Sequence, residues 1–135
     1  MAIGVILRHM AEFDWVSARF ECTLQKAFTD LLADVKADVD RINRLLRDAG
    51  KHSKNFESGS GGAHLIVTRS VDSRNLTRVE FLLEPDAIVV NPGSGSAIRA
   101  TIRLSPCGQC RFVVDGVEME PWQLRRLALE RLFFE

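Results

Sequence analysis

From Phe13 onward apolar residues recur at steps of three and four: Phe13, Val16, Phe20, Leu24, Phe28, Leu31, Leu32, Val35, Val39, Ile42, Leu46 and Ala49. That is the helical period. One long helix is predicted, N-capped by Asp14 and closed by Gly50 at its C′ position, with Arg44 and Arg47 near the negative end of its dipole. Such a helix of about 35 residues measures roughly 53 Å, whereas a compact chain of this size is about 37 Å across. It overshoots its own globule. The apolar stripe also turns, because Val16, Phe20 and Ala27 fall roughly 80–100° from Phe28, Val35, Val39 and Leu46 on a helical wheel. No Gly or Pro supplies a sharp kink, so the pattern predicts a gently wrapped helix with self-association at one end.

Beyond Gly50 the period changes. Residues 51–62 are polar and end Ser58-Gly59-Ser60-Gly61-Gly62, which reads as a flexible connection anchored only by Phe56. Short alternating segments follow at 63–69, 76–83, 87–91, 97–104, 110–115 and 117–119. The clearest is 97–104, where Ile98, Ala100, Ile102 and Leu104 share one phase and Arg99, Thr101 and Arg103 the other. Asp115-Gly116 between Val114 and Val117 signals a type I′ hairpin, and Glu84-Pro85-Asp86 and Asn91-Pro92-Gly93 mark further turns. One-sided alternation means one packed face, which a helix should cover. Pro121 then opens a final helix that is apolar around most of its circumference. The expectation is one α+β domain over 1–135: a helical block (1–50), the connection (51–62), an antiparallel meander of five to six strands (63–120) and a short C-terminal helix (121–134).

Composition changes this picture little. With 46% hydrophobic and 27% charged residues the chain has the makeup of a globular protein. Eighteen basic residues balance eighteen acidic ones, which removes the gross electrostatic case for nucleic acid or a bilayer. No run of apolar residues is long enough to span a membrane. The short run at 3–7 precedes Arg8 instead of following a basic start, unlike a secretory signal. Three cysteines cannot all pair within one chain, so a reducing cytoplasm is expected.

Candidate chemistry is sparse. Cys107-Gly108-Gln109-Cys110 has the spacing of half a tetrahedral zinc site or of a reversible dithiol. The other half is missing, for only Cys22 and the scattered His9, His52 and His64 remain. In sequence the pair tops a β-hairpin, so a plain turn is the simplest expectation. Arg99 and Arg103, with Arg78 and Arg111, would line the wet face of the sheet, where guanidinium groups suit a polyanion. Phe81 and Phe112 fall in the inward phase and the chain has no Tyr, so the base-stacking platform of a nucleic-acid sheet is lacking. Asp30, Asp34 and Asp38 form an acidic row beside the apolar stripe, solvated or docked on a basic surface such as the Arg face of a neighbour. Trp15 lies off the stripe, and Trp122, Phe133 and Phe134 make the last helix aromatic; these are interface candidates. No catalytic constellation is visible and no cofactor is implied. The leading expectation is a non-enzymatic module that self-associates through its long helix and aromatic C-terminal helix. The alternatives are a small-molecule carrier or enzyme with a cavity between helix and curved sheet, and polyanion binding by the Arg face.

Overall fold

The computed structural model describes residues 13–52, 54–71, 74–93 and 95–135; the apolar run at 3–7 lies outside them. The architecture is α+β. Helix α1 (Trp15–Glu21) and helix α2 (Leu24–Asp48) precede seven strands, and helix α3 (Pro121–Phe134) closes the chain. The strands are β1 (Lys54–Gly61), β2 (His64–Val71), β3 (Arg74–Leu83), β4 (Ile88–Asn91), β5 (Ile98–Leu104), β6 (Cys110–Val114) and β7 (Val117–Met119). They form one antiparallel meander in sequential order.

The single long helix of the sequence pattern is two helices. Asp14 caps α1 as expected, accepting from the Ser17 N–H at 3.0 Å. The helix then stops at Cys22, and Thr23 turns extended (φ −124°, ψ 155°) to cap α2, its hydroxyl accepting from the Lys26 N–H at 3.1 Å. A β-branched hydroxyl residue favours this N-cap over a helix interior. The break accounts for the rotated stripe, since two rods need not share a phase. On α2 the steps Phe28, Leu31, Val35, Val39 and Ile42 are all buried. Its end is a Schellman motif: Gly50 adopts φ +74°, the Lys51 N–H reaches Leu46 O at 2.8 Å and the Gly50 N–H reaches Arg47 O at 3.0 Å.

The sheet buries one face under α2 and α3. Phe56, Leu65, Val67, Val79, Phe81, Ile88, Val90, Ala100, Phe112 and Val114 meet Phe28, Leu31, Val35, Leu124 and Leu129 in one core. All six expected strands are present. The seventh, β1, occupies most of the segment expected to be a flexible connection. It pairs with β2 from Lys54↔Val71 to Gly61↔His64, and Gly62 at φ +58° takes the first central position of the tight turn. Glycine and serine lower its strand propensity, yet a ladder made by the backbone needs no particular side chain. Its fixed point is Phe56, which is buried. Asn43 of α2 binds both polar groups of that residue, donating to Phe56 O at 2.8 Å and accepting from Phe56 N at 2.9 Å. Asn43→Ala is expected to cost about 1–3 kcal/mol, because two half-buried backbone groups lose their partner. Urea unfolding checks this, and a loss below a few tenths would exclude it.

At the other end of the sheet Asp115 (φ 51°) and Gly116 (φ +77°) form the expected β6–β7 turn with both residues left-handed. Pro121 opens α3, preceded by Glu120, whose N–H donates to Gln123 Oε1 at 2.8 Å. The last turn of α3 is capped from the sheet. Lys54 Nζ donates to Phe133 O at 3.1 Å and Arg69 Nη1 to Leu132 O at 3.4 Å, two cations at the negative end of the helix. Partial burial, with Arg69 and Lys51 nearby, holds the Lys54 amine below its usual value. Among the described residues no helix is long and apolar enough to cross a membrane.

Candidate functional site

Three places gather chemistry. The first surrounds a disulfide that joins Cys22, between α1 and α2, to Cys110, the first residue of β6 (Cα–Cα 5.3 Å). This corrects the expectation for the Cys107/Cys110 pair as half a metal site or a dithiol: Cys110 Sγ is already bonded, and its partner lies 88 residues away. Among the described residues no group of three or more His, Cys, Asp or Glu is arranged around a metal position. Cys107 carries the unpaired thiol, exposed on the β5–β6 turn. Ser105, itself buried, places its hydroxyl 2.9 Å from Cys107 Sγ and also accepts from the Gln109 N–H at 3.2 Å. The Ser105 hydroxyl above all pulls the Cys107 thiol below its ordinary pKa against the opposing effect of desolvation, with lesser help from the Gln109 N–H and the Arg111 charge. Gly108, at φ +87°, lies under the Phe13 ring, where an added Cβ would come within 2.9 Å of the ring. Beside the disulfide runs an open groove of about 530 Å³ between α2 and β5–β6, with Lys26, Asp30, Asp34 and Arg111 among its polar walls.

The second place is the seam between α2 and α3. The acidic row on α2 meets basic groups of its own chain. Arg125 of α3 donates from Nε to Asp38 Oδ2 at 2.8 Å and from Nη1 to Asp34 Oδ2 at 3.4 Å, while Lys26 Nζ lies 2.9 Å from Asp30 Oδ1. Asp34 and Asp38 therefore dock on Arg125 of α3, while Asp30 pairs within α2. Past Arg125 the two helices leave a groove of about 350 Å³ lined by Ile42, Leu45, Trp122, Leu129, Phe133 and Phe134, with Asp38, Arg41, Arg126 and Glu130 also at its walls. Trp122 is half exposed with its indole N–H held by Glu120 Oε2 at 2.8 Å, and Phe134 is 70% exposed. Phe133 departs from its interface assignment. It is buried, its ring edge-on to Phe56 at 4.9 Å. Trp15, Val16 and Phe20 stand exposed on α1, a helix with no buried residue.

The third place is the outer face of the sheet, where strand register sets Arg103 opposite Arg111 with Arg99 four residues along the same strand, while Arg78 shares the face but lies toward the other end of β3. Arg99 and Arg111 have partners among the described residues. Arg99 meets Asp86 at 2.6 Å and Glu84 at 3.4 Å; Arg111 donates to Gln109 Oε1 at 2.9 Å and lies 3.9 Å from Glu118. Arg103 directly opposes Arg111 across β5 and β6. Glu80 faces His64 at 3.8 Å. Phe81 and Phe112 are buried on the opposite face, so no aromatic side chain of theirs is offered to a base.

The groove at the disulfide is open at the margin of the helix–sheet interface, whereas the centre of that interface is filled by Phe28, Leu31, Val35 and Phe81. The participant missed by sequence reasoning is Cys22. Its signals were the change of stripe phase just after it and an odd cysteine count, which leaves open which two residues pair. Comparison of the chain with protein-family models, curated proteins and solved structures gives no match.

Proposed function

We propose that the protein is a non-enzymatic interaction module that binds a second copy of itself through α2 and α3. The observation that carries this reading is the α2–α3 groove, apolar in lining and rimmed by exposed Leu45, Trp122 and Phe134. Clustered apolar side chains at this exposure usually mark a surface that a partner covers. The occupant we assign is α1 of the other copy. It carries Trp15, Val16 and Phe20 to solvent and buries nothing. Charge supports the match. The segment from Asp14 to Glu21 holds two acids and one base, while the groove walls hold Arg41, Arg125 and Arg126 against Asp38 and Glu130. Thr23 and Leu45 are about 33 Å apart along α2, so α1 does not fold back into its own groove, and reciprocal insertion closes a twofold dimer.

Phe20→Asp and Leu45→Asp test this at residues exposed in the single chain. Each is expected to weaken dimerisation by about thirtyfold or more while leaving thermal stability nearly unchanged. Light scattering behind size exclusion reads the result, and variants that associate like the parent rule the arrangement out. A cytoplasmic residence belongs to this reading; disulfides there are usually transient, catalytic or redox-sensing. A small-ligand carrier is the second reading, supported by the open groove of about 530 Å³, a size in the ligand-pocket range.

A further inference from the structure

We propose that the hollow where α2, β1 and the end of α3 converge binds the anion of a medium-chain fatty acid, its alkyl tail in an apolar trough and its carboxylate on Lys51, His52 and Lys54. The site is separate from the groove beside the disulfide and does not rest on self-association.

Two adjoining hollows make it. An open trough of about 780 Å³ has Ile42, Leu45, Leu46, Ala49, Phe133 and Phe134 among its walls. From Ile42 to Ala49 this wall runs about 10 Å along α2, room for a chain of several methylenes. A second hollow of about 240 Å³ is polar, with Arg47 and the amides of Asn43 and Asn55 at its walls. Lys51, His52 and Lys54 line both, so they mark where the apolar trough meets the polar hollow. A single tail with one anionic head has the same division. Leu45 and Phe134, both exposed, would be covered by such a tail.

The charge at this junction has no counterpart in the chain. Among the described residues no carboxylate side chain lines either hollow. Elsewhere cations meet acids, as Arg125 meets Asp34 and Asp38 and Arg99 meets Asp86. Helix ends account for only part of the cluster. The carbonyls of Leu45, Leu46 and Arg47 that close α2 already accept from the N–H groups of Ala49, Lys51 and Gly50, and of these cations Lys54 is the one that donates to α3. Burial first, then the charges of Arg69 and Lys51, hold the Lys54 amine below its usual value; a bound carboxylate would offset that crowding. An ammonium has three protons to donate, and Phe133 O takes one at 3.1 Å, which leaves protons for a ligand.

The test is calorimetric titration of the full, disulfide-intact chain with sodium decanoate. Saturable binding is expected, and each step down through octanoate to hexanoate should weaken it about five- to tenfold as two methylenes leave the trough. Decylammonium, with the same tail and the opposite head, should bind at least about tenfold more weakly. Two variants at exposed positions probe the two halves. Lys51→Glu should weaken decanoate about fivefold, and Ala49→Trp, which fills the trough, should abolish binding. Neither residue lines the α2–α3 groove, so both variants should dimerise like the parent, and the two readings fail separately. Absence of saturable decanoate binding at millimolar concentration overturns the proposal. So does decylammonium binding as tightly as decanoate, or amide NMR shifts that gather at the disulfide groove instead of at residues 45–54.

Discussion

Cys22→Ser is expected to lower the stability of the fold by about 2–4 kcal/mol, a drop in melting temperature of roughly 7–14 °C for a chain of this size. The size of the effect follows from where the bond lies. It spans a sequence separation of 88 residues, and cross-linking a loop that long removes a large share of the entropy of the unfolded chain. It also ties the start of the helical layer to the far side of the sheet at a point where little else does, because α1 buries no residue. Reduction of the unmodified chain should reproduce the loss. Paired calorimetric melts with and without reductant make the comparison, and melting points within about 2 °C of each other would mean that the bond contributes little.

The second large effect is expected at Phe81. It is fully buried on β3, opposite Leu65 on β2 and Val90 on β4, and beneath the packed helices. Phe81→Ala removes an aromatic ring from a site hemmed in on every side, so the cavity collapses poorly, and the cost should be about 3–5 kcal/mol. Phe20 is the internal control. It is 82% exposed, and Phe20→Ala should change the stability of the single chain by no more than about 0.5 kcal/mol. Urea unfolding of both variants separates them. Equal losses would contradict the placement of one ring inside and the other out.

These two residues also mark what the sequence reveals and what it conceals. Phe81 is legible because it belongs to a period of two, and Phe28, Leu31, Val35 and Val39 belong to a helical period; local spacing carries the face that each residue turns inward. The Asp115-Gly116 turn and the Pro121 helix start are legible for the same reason, as conformational demands met within a few residues. Cys22 is different. Its partner is fixed by tertiary approach, and nothing near either cysteine encodes the other. The same holds for the acidic row, since Asp34 and Asp38 meet Arg125 only after the whole sheet has been traversed.

Strand β1 hides for another reason. Its ladder is built from backbone groups that a Ser-Gly stretch supplies as well as any other, so composition suggests a linker. Asn43 then fixes Phe56 from a distance no local pattern reaches. The break before α2 sits between these extremes. Thr23 is a competent N-cap, but an intact helical period across it outweighs that single residue when read alone. The arginine face was legible as a face. Its partial neutralisation depends on where each acid falls, Glu84 and Asp86 in the β3–β4 turn and Glu118 on β7.

Sedimentation velocity of the unmodified, disulfide-intact chain over a wide concentration series tests the account most directly, because it asks whether exposed α1 and the α2–α3 groove find each other. The account predicts a boundary that moves from the 15.1 kDa chain toward twice that mass as concentration rises. A single species at the mass of one chain throughout the series would contradict it.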